Sequence, residues 1–278
     1  MSSTVALREG GRKRTILLNA KNMKTLSLVI PAYNEEKRLD NTFQELKKLR
    51  LPRGLRLAEV IFVNDGSTDK TVACIKAFQK QTKKKLSTKL ISYKPNMGKG
   101  FAVRQGMLSA RGDYAILCDA DMSTPLSQIE RFAPFMQKNV PIIVGTRKNG
   151  KSTVIKHQPR YREFLGKGFT KLAQVVLQSK TTDFTCGFKA FNTTAREAIF
   201  PLARINGWGY DAESVFIAQK HGFFLQEVPV VWSNDARTKV HVGKAIFTSL
   251  MELAHIRLNA TRGCYTTRQT APILATIQ

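Results

Sequence analysis

Short apolar runs recur along the first half of the chain, separated by longer stretches in which apolar residues return every three or four positions. "LSLVIP" (26–31), "EVIFVN" (59–64), "KLISY" (89–93), "YAILC" (114–118) and "PIIVG" (141–145) are each brief and continuously apolar. Each therefore predicts a buried strand. Residues 36–49, 68–79, 100–109 and 126–137 carry helical spacing between them. Strand and helix thus alternate with a period of roughly 25–35 residues, which is βαβ repetition and predicts a mostly parallel sheet flanked by helices. In such a sheet the ligand crevice lies beyond the carboxyl ends of the strands. The loops leaving those ends read "PAYNEE", "NDGSTD", "KPNMGKG" and "CDADMS", and they hold nearly all the unusual polar chemistry of this half.

Past residue 150 the pattern changes. Residues 160–178 read as an amphipathic helix, with Phe164, Leu165, Phe169, Leu172 and Val176 on one side and Arg162, Lys167 and Lys171 interspersed. "FKAFN" (188–192) and "FLQEVPVVW" (224–232) read as later strands, with a helix near 212–220 between them. Residues 241–259 place Lys244, Thr248, Glu252, His255 and Asn259 on one narrow polar stripe. A helix of that kind is expected to be covered on most of its circumference, by protein or by lipid.

With 278 residues, 42% of them hydrophobic, the chain has material for a packed core and is no disordered tail. Lys and Arg number 45 against 20 Asp and Glu, a formal net charge of +25. That excess implies polyanionic company, whether nucleic acid, an anionic membrane face or phosphate-rich ligands. Part of it lies in residues 1–24, where Arg8, Arg12, Lys13, Arg14, Lys21 and Lys24 face Glu9 alone. We read these as a loosely ordered basic arm, followed by the main domain over 25–240, the amphipathic helix over 241–265 and a tail over 266–278. Cys74, Cys118, Cys186 and Cys264 lie far apart without CxxC spacing, which argues against a zinc knuckle and suits reduced thiols in the cytoplasm. No apolar run approaches the ~18 residues a membrane crossing needs, and no signal-peptide core opens the chain. Neither export nor integral insertion is expected.

Among the loops, "DAD" holds Asp119 and Asp121 one residue apart at a strand end. Like charges that close require something positive between them, be it a metal, a basic neighbour, or water at a solvated turn. Carboxylate oxygens suit a hard cation, Mg²⁺ or Mn²⁺, with positions left for diphosphate oxygens. "NDGSTD" gives Asp65 a following glycine, with Ser67 or Thr68 to cap the next helix; taken alone it reads as an ordinary strand-turn-helix corner, and the functional alternative sets Asp65 against the base or ribose of a nucleotide. "NMGKG" combines glycines with Lys99 at a helix start, which suits a phosphate. Gly98, Gly100 and Gly106 do not fit GxGxxG, nor is this a Walker loop, so neither a dehydrogenase nor a P-loop enzyme is supported.

Seven strings, "VIPAYNEE", "VNDGSTD", "NMGKG", "DAD", "GTR" (145–147), "TDFTCGFKAF" (182–191) and "GWGYDAE" (207–213), stand in the order and spacing of the GT-A-type glycosyltransferases of family 2. The chain most resembles the dolichyl-phosphate (polyprenyl-phosphate) β-glucosyltransferases of that family, with the dolichyl-phosphate mannosyltransferases close by. This resemblance covers about residues 26 to 265. It implies a Rossmann-like GT-A fold and nucleotide contacts from Pro31, Ala32, Tyr33, Glu35, Asp65, Asp119 and Ala120. Lys99 would lie near the diphosphate, and a divalent ion on Asp119 and Asp121. Arg147 and Lys189 would clamp a lipid monophosphate; Arg stands in place of Lys189 in one pattern of the family. Asp183 and Asp211 would orient acceptor or sugar, Asp183 being nearer to a base-like role, or serve as structural hydrogen-bond acceptors. The implied reaction is transfer of a hexose with inversion, glucose from UDP-glucose or alternatively mannose from GDP-mannose. Two rival readings are weaker. A basic nucleic-acid-binding module lacks any recognised motif, and a processive polysaccharide synthase lacks QxxRW and membrane helices.

Overall fold

A computed structural model of the protein describes residues 23–148, 152–156, 159–234 and 242–266. The first half runs β1 (Lys24–Ala32), α1 (Leu39–Lys48), β2 (Leu55–Asp65), α2 (Thr71–Thr82), β3 (Thr88–Tyr93), α3 (Lys99–Ser109), β4 (Tyr114–Leu117), α4 (Ile129–Gln137) and β5 (Ile142–Thr146). The second half adds β6 (Thr153–Lys156), α5 (Arg160–Leu177), β7 (Lys189–Asn192), α6 (Thr193–Ile199), α7 (Tyr210–Lys220), β8 (Leu225–Pro229), β9 (Val231–Ser233) and α8 (Val242–Thr261).

Seven strands form one sheet in the order β3-β2-β1-β4-β7-β5-β8, and β6 pairs with β9 in a small second sheet. The large sheet is mostly parallel, as the βαβ rhythm predicts. β7 is antiparallel to both β4 and β5. Because it runs in reverse, the loop before it, not the loop after it, reaches the rim where the parallel strands end. Alternation along β1 divides the core: Leu26, Leu28 and Ile30 pack with α1, α2 and α4 on one face, and Val29 packs with α3, α6 and α7 on the other.

Several expectations need adjustment. β3 is a half-exposed edge strand, not a buried one, because only β2 flanks it. The run 224–232 is two strands: after Pro229 and the buried Val230 the chain leaves the large sheet and pairs with β6. α1 starts at Leu39 and α2 at Thr71, each three residues later than expected, because the loops before them are laced to one another. Asn34 N–H donates to Ser67 Oγ (2.9 Å), Thr68 N–H to Asn34 Oδ1 (2.8 Å), and Glu35 N–H to Thr71 Oγ1 (2.7 Å). Ser67 and Thr68 are thus spent on a neighbouring loop, and Asp69, just before the cap position of α2, accepts from Thr71 N–H at 2.9 Å.

α5 buries Thr170, Ala173 and Leu177, while Phe164, Leu165, Leu172 and Val175 face outward. Its apolar residues therefore wrap two faces instead of gathering on one. α8 buries Leu253 and Ile256 and packs beside α5 and α7, with Leu250, Met251 and Leu258 exposed. This chain covers only part of its circumference. No helix among the described residues is long and apolar enough to cross a membrane. Of the expected basic arm, residues 1–22 lie outside the described residues, and Lys24 already belongs to β1, opposite Leu55. Residues 267–278 of the tail and the side chains of Arg162 and Lys244 also lie outside them.

Candidate active site

The rim at the carboxyl ends of β1, β2 and β4 gathers the first-half motifs. Pro31 and Ala32 end β1 buried, and Tyr33 after them is exposed. Glu35 takes a two-pronged ion pair from Arg38. Asp65, 3% exposed, accepts from Asn96 Nδ2 (2.8 Å), Met97 N–H (2.8 Å) and Gly98 N–H (3.0 Å). Its carboxylate therefore shapes the "NMGKG" loop. The glycines of that loop admit protein backbone where phosphate was expected. Gly98 has φ +99°, and a Cβ there would meet Asn206 O at 2.4 Å. Gly100 N–H donates to the same oxygen at 2.7 Å.

Lys99 opens α3, and its ammonium donates to Asp119 Oδ1 at 2.7 Å while lying 5.2 Å from the Trp208 ring and 5.8 Å from that of Tyr210. Burial pulls the Lys99 ammonium down, but Asp119 and then Asp211 outweigh it and hold the pKa above its usual value. Burial likewise pushes Asp119 up, and Lys99 overrides it, leaving Asp119 below the ordinary carboxylate range. Asp121 accepts from Ser123 N–H (2.9 Å) and has Arg38 Nη1 at 3.6 Å. Burial and the adjacent Asp119 nevertheless keep its pKa raised. Two anions thus share one pocket with incomplete compensation. The turn is built closely around them: Thr42 Oγ1 donates to Ala120 O (2.5 Å), and a Cβ on Gly187 would lie 1.9 Å from Asp119 Oδ2. Hard oxygen donors with unbalanced negative charge fit Mg²⁺ or Mn²⁺. No cluster of three His, Cys, Asp or Glu that would hold a metal occurs among the described residues. A cation on this pair would complete its shell from diphosphate or water.

The loop before β7 brings the second-half motifs to the same rim. Asp183, 0% exposed, takes Arg147 in a bidentate pair (2.8 and 2.9 Å) together with the Arg147 N–H (3.0 Å). Arg147 also donates to Thr185 Oγ1 (2.9 Å), and its guanidinium lies 5.3 Å from the Trp232 ring. Burial raises the Asp183 pKa, but Arg147 overcomes it and holds the carboxyl well below the ordinary range. Lys189, 1% exposed, gives its three donors to Phe184 O (2.9 Å), Cys186 O (2.6 Å) and Asp211. It faces inward as a tie between loop and helix, not outward as a phosphate clamp. Burial raises the Asp211 pKa despite that tie.

Sequence reasoning missed several members. Lys148 Nζ contacts Thr170 Oγ1 (2.5 Å) and stands 3.8 Å from Asp183, one residue beyond the recognised "GTR". Glu227 accepts from Thr182 N–H (2.6 Å) and Oγ1 (2.8 Å); a charge inside an apolar strand was its signal. Glu213, fully buried, accepts from Arg204 N–H, Ile205 N–H (both 2.9 Å) and Tyr265 OH (2.6 Å).

A largely parallel sheet with paired carboxylates at its rim, between nucleotide-type loops on one side and cations on the other, defines a GT-A glycosyltransferase. The fold is shared with glucosyl-3-phosphoglycerate synthase from Mycobacterium tuberculosis, solved with Mn²⁺, UDP-glucose and phosphoglyceric acid. That similarity has a TM-score of 0.61 at 16% identity and covers 91% of this chain and 85% of that one. The chain belongs to glycosyl transferase family 2, whose pattern matches residues 27–200. It is 32% identical over 258 residues to a dolichyl-phosphate β-glucosyltransferase of Mus musculus, covering 89% of this chain and 79% of the relative. The dolichyl-phosphate β-glucosyltransferase of Saccharomyces cerevisiae is 31% identical over 256 residues, 86% of this chain and 76% of the relative.

Proposed function

We propose that the protein moves glucose from UDP-glucose to a polyprenyl (dolichyl) monophosphate with inversion at the anomeric carbon. The observation that carries this reading is the Asp119–Asp121 pair beside Lys99, with Arg147 on the other side of the same rim. Relatives named for this acceptor and sugar support it. A divalent ion, Mg²⁺ or Mn²⁺, on Asp119 and Asp121 would supply Lewis-acid stabilisation of the departing UDP. Pro31, Ala32, Tyr33, Glu35 and Ala120 would line the nucleotide, and Asp65 serves it by shaping the loop that carries Lys99. Lys99 adds a positive charge beside the diphosphate.

The nucleophile is an oxygen of the acceptor phosphate. Its bond to the anomeric carbon forms as the carbon–oxygen bond to UDP breaks, and the electron pair leaves with UDP. A phosphate monoester has its second pKa near 6, so at neutral pH this oxygen is already mostly ionised and needs no strong base. That suits Asp183, whose oxygens are engaged: it holds Arg147 in the orientation a phosphate requires. Arg147 then binds the acceptor with Lys148 nearby, while Lys189 and Asp211 brace the loop from behind.

The exposed apolar residues of α5, with Lys167 and Lys171 exposed among them, supply a face for an anionic cytoplasmic membrane surface where such an acceptor resides. Asp119→Asn or Asp121→Asn is expected to abolish Mn²⁺-dependent transfer with the melting temperature retained; full activity in EDTA would refute the reading. Thermal-shift screening of UDP- and GDP-sugars with Mn²⁺ separates the donors: UDP-glucose alone should stabilise, and selective stabilisation by GDP-mannose would reassign the sugar.

A further inference from the structure

We propose that α8 is part of the donor site, with Glu252 as a positioning residue that holds the 207–209 loop so that Trp208 covers Lys99 beside Asp119. The sequence places Glu252 on a polar stripe, the position of a solvated charge. The structure turns it inward instead. Glu252 Oε2 accepts from Gly209 N–H at 2.6 Å. A Cβ on Gly207 would meet Glu252 Oε1 at 2.0 Å, and one on Gly209 would meet Glu252 Cβ at 2.8 Å. Glycine on both sides of Trp208 is therefore what lets this one carboxylate seat itself against the loop.

Between those glycines the Trp208 ring lies 5.2 Å from Lys99 Nζ, and Lys99 donates to Asp119. An ammonium over an indole face is attracted to it, and here the indole keeps one side to solvent, being 43% exposed. The residues just before this loop, 204–206, are held from the turn that follows α8. Tyr265 OH donates to Glu213, which accepts from Arg204 and Ile205 N–H, and Asn206 O next to them receives the Gly100 N–H at the start of α3. Two ties from the C-terminal part of the chain thus converge on the loop that packs against Lys99 and on the residues just before it. Glu252 touches no reacting atom and acts through Trp208 and Lys99.

The inference rests on the donor reading above, and its test separates the two. The chain contains two tryptophans, so fluorescence compared with a Trp208→Phe control isolates the Trp208 signal. Without any ligand, Glu252→Ala is expected to shift Trp208 emission, because the indole loses its seat on Lys99; Glu252→Gln, which keeps an acceptor for Gly209 N–H, should restore it. With Mn²⁺ and UDP, calorimetry should show binding weakened about tenfold in Glu252→Ala, the scale of one lost charge-assisted hydrogen bond. KM should rise for the nucleotide sugar and stay level for the lipid phosphate. Unchanged Trp208 emission, or equal losses toward donor and acceptor, would overturn the inference. Failure of the wild-type protein to bind UDP with Mn²⁺ would instead overturn the donor reading, and the ligand-free fluorescence would still decide the role of Glu252. Should Glu252→Ala not fold, Gly207→Ala, whose Cβ would meet Glu252 Oε1 at 2.0 Å and displace the carboxylate, is expected to shift Trp208 emission in its place, and unchanged emission there would overturn the inference.

Discussion

At the scale of single residues, the site is a set of ions buried in opposite-signed pairs. Asp183 and Arg147 are the clearest. Removing one member of a buried pair leaves the other uncompensated, which costs about 3–5 kcal/mol. Asp183→Asn is therefore expected to lower stability to urea by that order at pH 7. The pH dependence has a definite sign. Arg147 overrides burial and holds the Asp183 pKa below its unfolded value near 4. Its contribution is thus fully present above that value and is lost as the pH falls toward the folded pKa. The gap between wild type and variant should narrow below about pH 4; a gap constant with pH would rule out the charge pair as its source. The sequence showed which residues assemble but not how they pair. Lys189 and Arg147 both look like phosphate ligands in one dimension, and only burial separates the outward cation from the inward tie. Glu252 escaped for the converse reason, since helical periodicity records a polar stripe without telling solvent from a loop backbone.

At the scale of elements, apolar periodicity found the strands and helices of the large sheet, because burial on both faces demands continuous apolar runs. It could not find the reversal of β7: a four-residue strand has the same pattern in either direction. It also joined β8 to β9, because Val230 is apolar while the chain changes sheets around it. α3 shows what the pattern hides in another way. Gly106 lets this helix lie directly on β1 and β2, since a Cβ there would meet Val29 Cγ1 at 2.3 Å and Val63 Cγ2 at 3.0 Å. Gly106→Ala would gain about 1 kcal/mol of helix propensity against overpacking of about 1–3 kcal/mol. A net loss of up to about 2 kcal/mol is expected in urea denaturation. A stabilised variant would mean that α3 is free to move away.

At the scale of the whole molecule, charge and exposed apolar surface point the same way. Phe164 and Val175 on α5 are each 76% exposed, on a chain carrying +25. Inserting a phenylalanine or valine side chain into lipid is worth about 1.5–3 kcal/mol, and basic residues near anionic lipid add about 1 kcal/mol each, screened by salt. The protein should float with phosphatidylserine vesicles at low ionic strength and detach at high. Phe164→Glu with Val175→Glu should weaken flotation at least tenfold and leave Mn²⁺-dependent UDP binding unchanged. Equal flotation of the double variant would move the contact to another face.

The closeness of Gly187 to Asp119 has a consequence for how such a chain can change over time. On the proposed reading, residues up to Asp121 together with the 207–209 loop furnish the donor half of the rim and residues 145–191 the other half, and the two meet where the Asp119 carboxylate rests on the bare α-carbon of Gly187. Mutation can therefore remodel what receives the sugar without rebuilding what delivers it, as long as that one position never acquires a side chain.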